Sequence, residues 1–231
     1  MKYKILVGFI IILLLSNIYF FLNFYKKKKH ASIKYETSLV QPNYNNNSKE
    51  FTYAVPSYEI ISEMKKVKTN AQYLKSYALQ NNCNLNYAFV LDMRIPSYKK
   101  RFFVYNLKND SIINSGLVAH GTGSETFKGQ LVFSNTPDSR CTSLGKYKIG
   151  ISYKGIYGFS YKLQGLDSTN NKAFERAIVL HGHNCVPNNE INNFPICFSY
   201  GCPMVSTKFL QTLKLYIAKQ GKTPILLSII Y

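Results

Sequence analysis

The chain has 231 residues, of which 46% are apolar and 15% aromatic, enough for one domain of ordinary size with extensions. A chain this apolar is not disordered throughout. Its formal charge is +18, which favours anionic partners, although the lysines are spread along the whole chain. No recognition-helix, zinc-finger or RNA-binding motif accompanies this charge, and the sequence therefore argues against a nucleic-acid-binding protein.

The first predicted element is an apolar segment at the N-terminus. Residues 5–25 contain no charged side chain and are long enough to span a bilayer, which takes about 20 apolar residues. No small-residue cleavage site comes after it, so we expect an uncleaved membrane anchor over residues 1–25, including the Lys-bearing start of the chain. Lysines at 26–29 outnumber those before the segment, and by the positive-inside rule they favour a cytoplasmic position for the C-terminal side of the anchor.

A tether and a long helix are predicted next. Residues 26–55 are polar and Asn-rich without steady periodicity, which is typical of a linker. Within residues 56–80, apolar side chains recur every three or four positions, and this spacing predicts an amphipathic helix that packs on the domain behind it. The apolar positions are Ile61, Met64, Val67, Ala71, Leu74 and Ala78.

The residue pattern of the rest of the chain is typical of a mainly β domain. After Cys83, short apolar and β-branched runs are bounded by turn residues, which predicts strands. These runs are "YAFVLDM", "RFFVYNL", "SGLVAHG", "GKYKIGISY", "RAIVLHG" and "TPILLSIIY". Between the last two, a helical spacing of apolar residues predicts a second helix with Ser206 as N-cap and Gly221 just past its end. Its apolar positions are Phe209, Leu213, Tyr216 and Ile217.

Two histidines and three cysteines are concentrated in the stretch "LHGHNCVPNNEINNFPICFSYGCPMVS", residues 180–206. Cys202 comes directly after Gly201, which allows backbone N–H groups to approach a reacting carbonyl, and a proline after it stiffens the turn. If the preceding strand extends through "LHGH", alternation places His181 and His183 on one face. This arrangement suits a cysteine nucleophile with a histidine base.

The same residues allow other interpretations. His181, His183 and Cys185 could bind zinc with Cys197 or Cys202 as the fourth ligand, although the spacing is a loose match for such sites. Cys202 could equally be a small buried hydrophobe. With Cys202 set aside, four cysteines remain, which suits an exported protein with up to two disulfides and leaves three pairings open. The four are Cys83, Cys141, Cys185 and Cys197.

Residues 85–231 resemble the catalytic domain family of murein L,D-transpeptidases, in the branch with a Ser-x-Gly-Cys-Pro motif. The resemblance lies in five motifs that occur in order: "VLDMRIPSYKKRFFVYNL", "VAHGTGSETF", "FSNTPDSRCTSLGKYKIG", "YGFSYKLQGLDSTNNKAFERAIVLHG" and "SYGCPMVS". Seventeen residues separate His181 from Ser199 and fifteen separate His183 from it, and the family's spacing accommodates both. The match of "RAIVLHG" to the family's base-bearing strand picks His181. The chain departs from the wider family at Tyr200, where His is common.

The resemblance implies a fold and a set of site residues. The fold is mainly β, a sandwich or barrel with a few peripheral helices, over residues 56–231 behind the anchor and tether. Cys202 would be the nucleophile, His181 the base, the Gly182 carbonyl its orienting partner, and Ser199 a brace for the nucleophile turn. The oxyanion would be held by the backbone N–H groups of Tyr200, Gly201 and Cys202. Substrate contacts are also expected from His183 and Tyr147, with Lys146 beside it, and His120 is expected to make either a substrate contact or structural hydrogen bonds.

The implied activity is that of a peptidoglycan L,D-transpeptidase. Such an enzyme forms a Cys acyl-enzyme on tetrapeptide stems, releases D-Ala and cross-links the stem to an amine, without a cofactor or metal. Its partners would be stem peptides and, through the anchor, the inner membrane, with the domain on the periplasmic face despite the lysines at 26–29. The alternatives are an L,D-carboxypeptidase on the same stems, a zinc-binding protein and a non-catalytic wall-binding protein.

Overall fold

The fold is mainly β, with two helices that the apolar periodicities predict. The computed structural model describes residues 58–126, 129–219 and 221–231. Among them no helix combines the length and apolar character needed to cross a bilayer, and the predicted anchor (1–25) and tether (26–55) lie outside the described residues.

The first helix, α1, spans Tyr58–Gln80 and confirms the leading-helix prediction. Four of its predicted apolar positions are almost fully buried: Val67, Ala71, Leu74 and Ala78. Burial of a Val or Leu side chain stabilises the fold by about 1.5–3 kcal/mol, so this stripe fastens α1 to the sheet. Met64, near the start of the stripe, is instead exposed.

Nine strands of the described chain form one sheet. They are β1 (Tyr87–Asp92), β2 (Phe102–Asn106), β3 (Ser111–Gly116), β4 (Val118–Ala119), β5 (Gly145–Gly155), β6 (Gly158–Gly165), β7 (Val179–Gly182), β8 (Met204–Val205) and β9 (Leu226–Ile230). Their order is β3-β2-β1-β9-β5-β6-β7-β8-β4. The two end strands, β3 and β4, are separated in the chain by Leu117 alone, so the sheet curls back on itself into a nearly closed barrel.

Six of these strands were predicted, and three were not. The run "SGLVAHG" is divided between the end of β3 and the two-residue β4. β3 is polar and half-exposed at a sheet edge, and β8 is only two residues long, so neither has a clear apolar alternation. β6 was not predicted as a separate strand; it forms a hairpin with β5.

The second helix, α2, spans Thr207–Ala218 and confirms the second predicted helix. Ser206 caps it, because its hydroxyl accepts a hydrogen bond from Phe209 N at 3.1 Å. Alternate residues of β1 divide between two cores: Phe89 and Leu91 pack in the cluster that includes α2, and Ala88 and Val90 in the cluster that includes α1. This alternation of β1 allows one sheet to bury both helices.

Candidate active site

The parallel pairing of β7 with β8 brings the two central residues of the site together. The register places His181 of β7 opposite Met204 of β8. Cys202 lies two residues before Met204, on the turn that leads into β8, so the parallel register places it level with Val179 at the start of β7, two residues before His181. Both side chains line a cavity of about 200 Å³. Its lining residues are Tyr157, His181, His183, Cys185, Phe198, Ser199, Tyr200, Cys202 and Met204.

Ser199 holds the turn at residues 199–202 in shape, and we call this segment the nucleophile turn after the role that the resemblance implies for Cys202. Its hydroxyl donates to the carbonyl of Cys202 at 2.6 Å and accepts from Gly201 N at 3.2 Å. Its backbone N–H donates to His120 O at 2.9 Å, and its carbonyl accepts from Thr122 N at 2.8 Å. A hydroxyl that satisfies two backbone groups of the same turn leaves it little conformational freedom.

Gly201 is required by the backbone at this turn. Its φ is +113°, a conformation that L side chains rarely adopt. A Cβ at this position would also lie 2.8 Å from Cys141 O and 3.2 Å from Arg176 Nη2. Any other residue before Cys202 would therefore strain the turn or displace its neighbours.

The thiol of Cys202 is hydrogen-bonded to the segment that leads into β7. Its Sγ accepts from Val179 N at 3.4 Å and donates to Ala177 O at 3.8 Å. Within the described residues no hydrogen bond joins Sγ to His181. Burial raises the pKa of the Cys202 thiol, while the Val179 N–H and the nearby Arg176 charge act to lower that pKa. In this arrangement Cys202 is a neutral thiol at pH 7.

His181 is oriented so that one ring nitrogen is available. The side chain is 2% exposed, and its Nδ1 lies 3.3 Å from Gly182 O. A carbonyl can only accept, so Nδ1 carries the proton and Nε2 keeps its lone pair. Burial lowers the pKa of His181. The hydrogen bond to the Gly182 carbonyl acts to raise that pKa, and His183 acts to lower it. The imidazole is therefore neutral at pH 7 and able to accept a proton.

Two of the three predicted oxyanion donors are free in the described part of the chain. The N–H groups of Tyr200 and Cys202 have no hydrogen-bond acceptor among the residues described. The third prediction, Gly201, is wrong for this structure, because Gly201 N is bonded to Ser199 Oγ. The role of Gly201 is conformational.

The prediction for His183 needs a correction. β7 ends at Gly182, so His183 does not continue the strand alternation and is exposed. Its Nδ1 accepts from Cys185 N at 3.2 Å, which turns the chain into the following loop. His183 still lines the cavity, so a contact with substrate stays a prediction.

A disulfide joins Cys185 to Cys197 across this loop. This bond belongs to one of the three pairings that the four cysteines allow. The remaining two of the four, Cys83 and Cys141, are free and buried. Val186 and Ile196, next to the bonded cysteines, are both buried in one small cluster, so the disulfide and apolar contacts together shape this wall of the cavity. Because both cysteines are bonded, neither is available as a thiolate ligand to zinc. No group of His, Cys, Asp or Glu in the described residues is arranged to hold a metal ion.

His120 has the structural role and not a substrate contact. It is 2% exposed, its Nδ1 lies 2.7 Å from Arg101 Nη2 and its Nε2 lies 2.8 Å from Glu125 Oε1. Arginine only donates, so Nδ1 is the acceptor and Nε2–H donates to the carboxylate. Burial and then the Arg101 charge lower the pKa of His120 to about 4.

The expected substrate contacts from Tyr147 and Lys146 are also wrong. Tyr147 is fully buried in the core, and its hydroxyl is hydrogen-bonded to the side chain and carbonyl of Ser143, at 2.7 Å in each case. Lys146 is buried and paired with Asp167 at 2.5 Å, beside the ring of Tyr73. Neither side chain has a free polar group at the cavity.

Three residues at the site were not predicted from sequence. Tyr157, in the hairpin between β5 and β6, stacks on the His181 ring with centroids 4.7 Å apart and planes 25° apart. Phe198 contacts the His120 ring and lines the cavity. Arg176 lies against the nucleophile turn. Hairpin-tip Tyr and pre-strand Arg are common surface residues, so no local pattern marks them.

One family model and several solved structures are similar to this chain. A family model described as "L,D-transpeptidase catalytic domain" matches residues 59–224. No curated protein has significant sequence similarity to the chain. Similar solved structures include an L,D-transpeptidase from Xylanimonas cellulosilytica, with 12% identity over 67% of this chain and 68% of that chain, and a TM-score of 0.34.

Two further solved structures are larger than the matching part of this chain. An L,D-transpeptidase from Mycobacterium smegmatis has 10% identity over 63% of this chain, with a TM-score of 0.36. A mutant of the helical cell shape determining protein Pgp2 from Campylobacter jejuni has 13% identity over 76% of this chain, with a TM-score of 0.39. The chain spans only 59% and 56% of the lengths of these two proteins.

Proposed function

Because this chain belongs to the L,D-transpeptidase catalytic domain family, we propose that it is a peptidoglycan L,D-transpeptidase with Cys202 as nucleophile. Its substrate would be a tetrapeptide stem, from which the terminal D-Ala is released. The stem would then be joined to an amine of a second stem. The observation that carries this proposal is that Cys202 and a neutral His181 with a free Nε2 line the same cavity.

Acylation follows from the chemistry of these two groups. His181 Nε2 takes the proton of the Cys202 thiol, and Sγ attacks the carbonyl carbon between the third residue of the stem and D-Ala. The resulting oxyanion is held by the N–H groups of Tyr200 and Cys202. When the tetrahedral intermediate collapses, the C–N bond breaks and the imidazolium gives its proton to the departing amine of D-Ala.

Deacylation uses the same groups in reverse. The acceptor amine attacks the thioester carbonyl and gives its proton to His181, and the C–S bond breaks as Cys202 leaves and takes that proton back. The Gly182 carbonyl, 3.3 Å from Nδ1, keeps the imidazole in the tautomer that both steps need. If water replaces the amine, the product is a trimmed tripeptide stem and the enzyme is a carboxypeptidase.

The resting position of the thiol adds one step before acylation. Sγ is bonded to Val179 N and Ala177 O, so rotation about the Cα–Cβ bond of Cys202 must turn it towards His181. Such a rotation gives up two weak hydrogen bonds of the sulfur, one N–H···S and one S–H···O, and is not costly compared with the chemical barrier. Substrate entering the cavity would favour the rotated form.

The decisive experiment compares the full chain in detergent with its Cys202→Ala variant on tetrapeptide-bearing muropeptides, with product masses as the readout. We expect D-Ala and a new dimer from the wild type and neither from the variant. Cys83→Ala is the matched control, because Cys83 is a free cysteine packed near α1 and should leave the products unchanged. Tripeptide monomer without dimer would assign a carboxypeptidase. Absence of product and of a thioester mass on Cys202 would exclude stem-peptide catalysis, and metal analysis would then test the zinc alternative.

We further propose that residues 1–25 anchor the protein in the inner membrane and that residues 26–55 tether a periplasmic domain at 56–231. The Cys185–Cys197 disulfide supports this position, because such bonds persist in oxidising compartments. Protease added to spheroplasts should digest the domain while leaving a cytoplasmic marker intact. A protected domain would contradict this topology.

A further inference from the structure

The segment from Arg176 to Val179 contacts the side chain of Cys202, and we call this segment the floor of the site. Val179 N and Ala177 O are the two hydrogen-bond partners of Cys202 Sγ, and Arg176 belongs to the same turn. Ala177 has a φ of +52°, which is uncommon for a residue with a Cβ. This left-handed residue lies between Arg176 and the start of β7, so the turn is held in a conformation that a relaxed chain would avoid.

Arg176 fastens this floor to the loop segment 134–143, which precedes β5. Its Nη2 donates to Cys141 O at 2.6 Å, and its Nη1 donates to Ser134 O at 2.9 Å. Longer contacts reach the hydroxyls of Ser139 at 3.4 Å and Ser143 at 3.3 Å. All of these acceptors are neutral oxygens, and no carboxylate pairs with Arg176 among the described residues.

The unpaired guanidinium lies directly against the residue before the nucleophile. A Cβ at Gly201 would be only 3.2 Å from Arg176 Nη2, and the same Cβ would be 2.8 Å from Cys141 O, the nearest acceptor of Arg176. A half-buried positive charge that no anion neutralises acts on nearby groups more strongly than a paired surface charge does. The group best placed to respond is the thiol of Cys202, one residue further along the chain.

We infer that Arg176 is a positioning residue that braces the nucleophile turn through Cys141 and supplies the positive field that favours the Cys202 thiolate. The inference rests on the proposed function of Cys202 as a nucleophile. It is independent of which amine, or water, resolves the thioester. In the resting position of the sulfur, two supports that do not involve the imidazole favour the anion: the charge of Arg176 and the N–H of Val179.

The electrostatics agree with this geometry. Arg176 lowers the pKa of the Cys202 thiol against the effect of burial, and it also lowers the pKa of the buried Tyr147 hydroxyl nearby. Removal of this charge should therefore be visible directly in the titration of the thiol.

Other titratable groups also face the thiol. His181 and His183 line the cavity from the end of β7, Tyr157 lines it from the β5–β6 hairpin, and Tyr147 of β5 lies in the core beneath it. Arg140 lies farther out, over the ring of Tyr200. A substitution at Arg176 changes none of these residues, and the comparison of the Gln and Lys variants separates the charge of Arg176 from any displacement of the turn.

The test separates the charge of Arg176 from its hydrogen bonds. Arg176→Gln keeps a donor for Cys141 O without the charge, and Arg176→Lys keeps the charge without the planar fork. Lys172→Met, an exposed position four residues earlier, removes one positive charge from the same turn and is the matched control. Each full chain, in detergent and checked for folding by circular dichroism, is alkylated with iodoacetamide across a pH series, and modification of Cys202 is followed by mass spectrometry.

We expect Arg176→Gln to move the midpoint of alkylation to higher pH, with about a tenfold loss of thiolate at neutral pH. Because a more basic thiolate is also more nucleophilic, the alkylation rate at pH 7 should fall by only about threefold. Arg176→Lys should keep the wild-type midpoint while D-Ala release slows, and Lys172→Met should match the wild type in both measurements.

The inference is overturned if Arg176→Gln titrates like the wild type, or if Arg176→Lys shifts the midpoint as far as the uncharged variant does. Should the Gln variant not fold, Arg176→Met serves as the uncharged variant in both comparisons. Alkylation needs no peptidoglycan, so a wild type that alkylates as expected but leaves muropeptides unchanged would refute the proposed function and not the effect of Arg176 on the thiol.

Discussion

The molecule contains two buried histidines near the nucleophile turn, and they differ in one respect. His181 and His120 are equally hidden from solvent, at 2% exposure each, and burial lowers the pKa of both. Both ring nitrogens of His120 are engaged, by Arg101 and Glu125, whereas the hydrogen bond of the His181 ring uses Nδ1. Burial and a lowered pKa are common to both rings, and what distinguishes His181 is an Nε2 with no partner among the described residues, which can accept a proton.

His120 nevertheless supports the site from behind. Its backbone carbonyl accepts from Ser199 N, so the buried cluster of Arg101, His120 and Glu125 is coupled to the nucleophile turn through the main chain. Arg101 is itself buried, and desolvation lowers its pKa to about 10, which leaves it charged at neutral pH. Of two histidines with similar burial, one is therefore equipped for chemistry and the other holds the scaffold.

The largest expected effect comes from His181→Gln. Glutamine keeps the approximate size but has no basic nitrogen, so the rate of D-Ala release should fall by about 10²–10⁴-fold. The free energy of unfolding should change little by comparison, since the ring lines a cavity and makes one hydrogen bond. Steady-state kinetics and thermal unfolding on the same preparations measure both. A variant that keeps its activity would remove His181 from the mechanism.

A pH dependence of stability should follow from His120. Its pKa is about 4 in the folded protein against an ordinary value of 6.5, so between these values the unfolded chain binds a proton that the folded protein does not. The free energy of unfolding should therefore fall as the pH drops from about 6.5 to about 4, by roughly 3 kcal/mol in total. Denaturant unfolding across this range measures the slope, and His120→Gln should flatten it. An equal slope in that variant would contradict the assignment.

At neutral pH, His120→Gln should lower the stability and leave the rate of D-Ala release nearly unchanged, which is the reverse of the effects expected for His181→Gln. One amide cannot replace both hydrogen bonds of the ring, so a contact to buried Arg101 or to Glu125 is lost and stability should fall by about 2 kcal/mol. The rate of D-Ala release per folded molecule should stay within a few-fold of the wild type. If this variant instead loses activity while its unfolding curve is unchanged, the assignment of a purely structural role to His120 is wrong.

The smallest expected effect comes from Tyr157→Ala, which removes the ring stacked on His181. Aromatic pairs of this kind contribute about 0.5–1.5 kcal/mol, so a looser imidazole should cost about threefold to tenfold in rate. Tyr157→Phe keeps the stack without the hydroxyl and should retain the wild-type rate. A Phe variant as slow as the Ala variant would assign the effect to the hydroxyl.

Apart from β6, whose Phe159, Tyr161 and Leu163 alternate along the strand, elements with a clear apolar pattern were predicted and elements without one were not. α1 and α2 repeat their apolar residues over several turns, and β1, β2, β5 and β9 contain buried runs bounded by turns. β3 and β8 escaped prediction because an edge strand need not alternate and a two-residue strand cannot. The Met64 position shows the limit of periodicity, because it fits the helical stripe and is still exposed.

The sequence by itself determined the helices, most strands, the family resemblance, and the choice of Cys202 and His181 as a pair. These depend on neighbours along the chain or on ordered motifs, which are readable locally. Tertiary structure alone decided the free nitrogen of His181, the Cys185–Cys197 bond, the burial of Tyr147 and the position of Arg176 under the nucleophile turn. Each of these depends on which segments pack together in three dimensions, and the strand order of the sheet, with β7 beside β8, sets that packing.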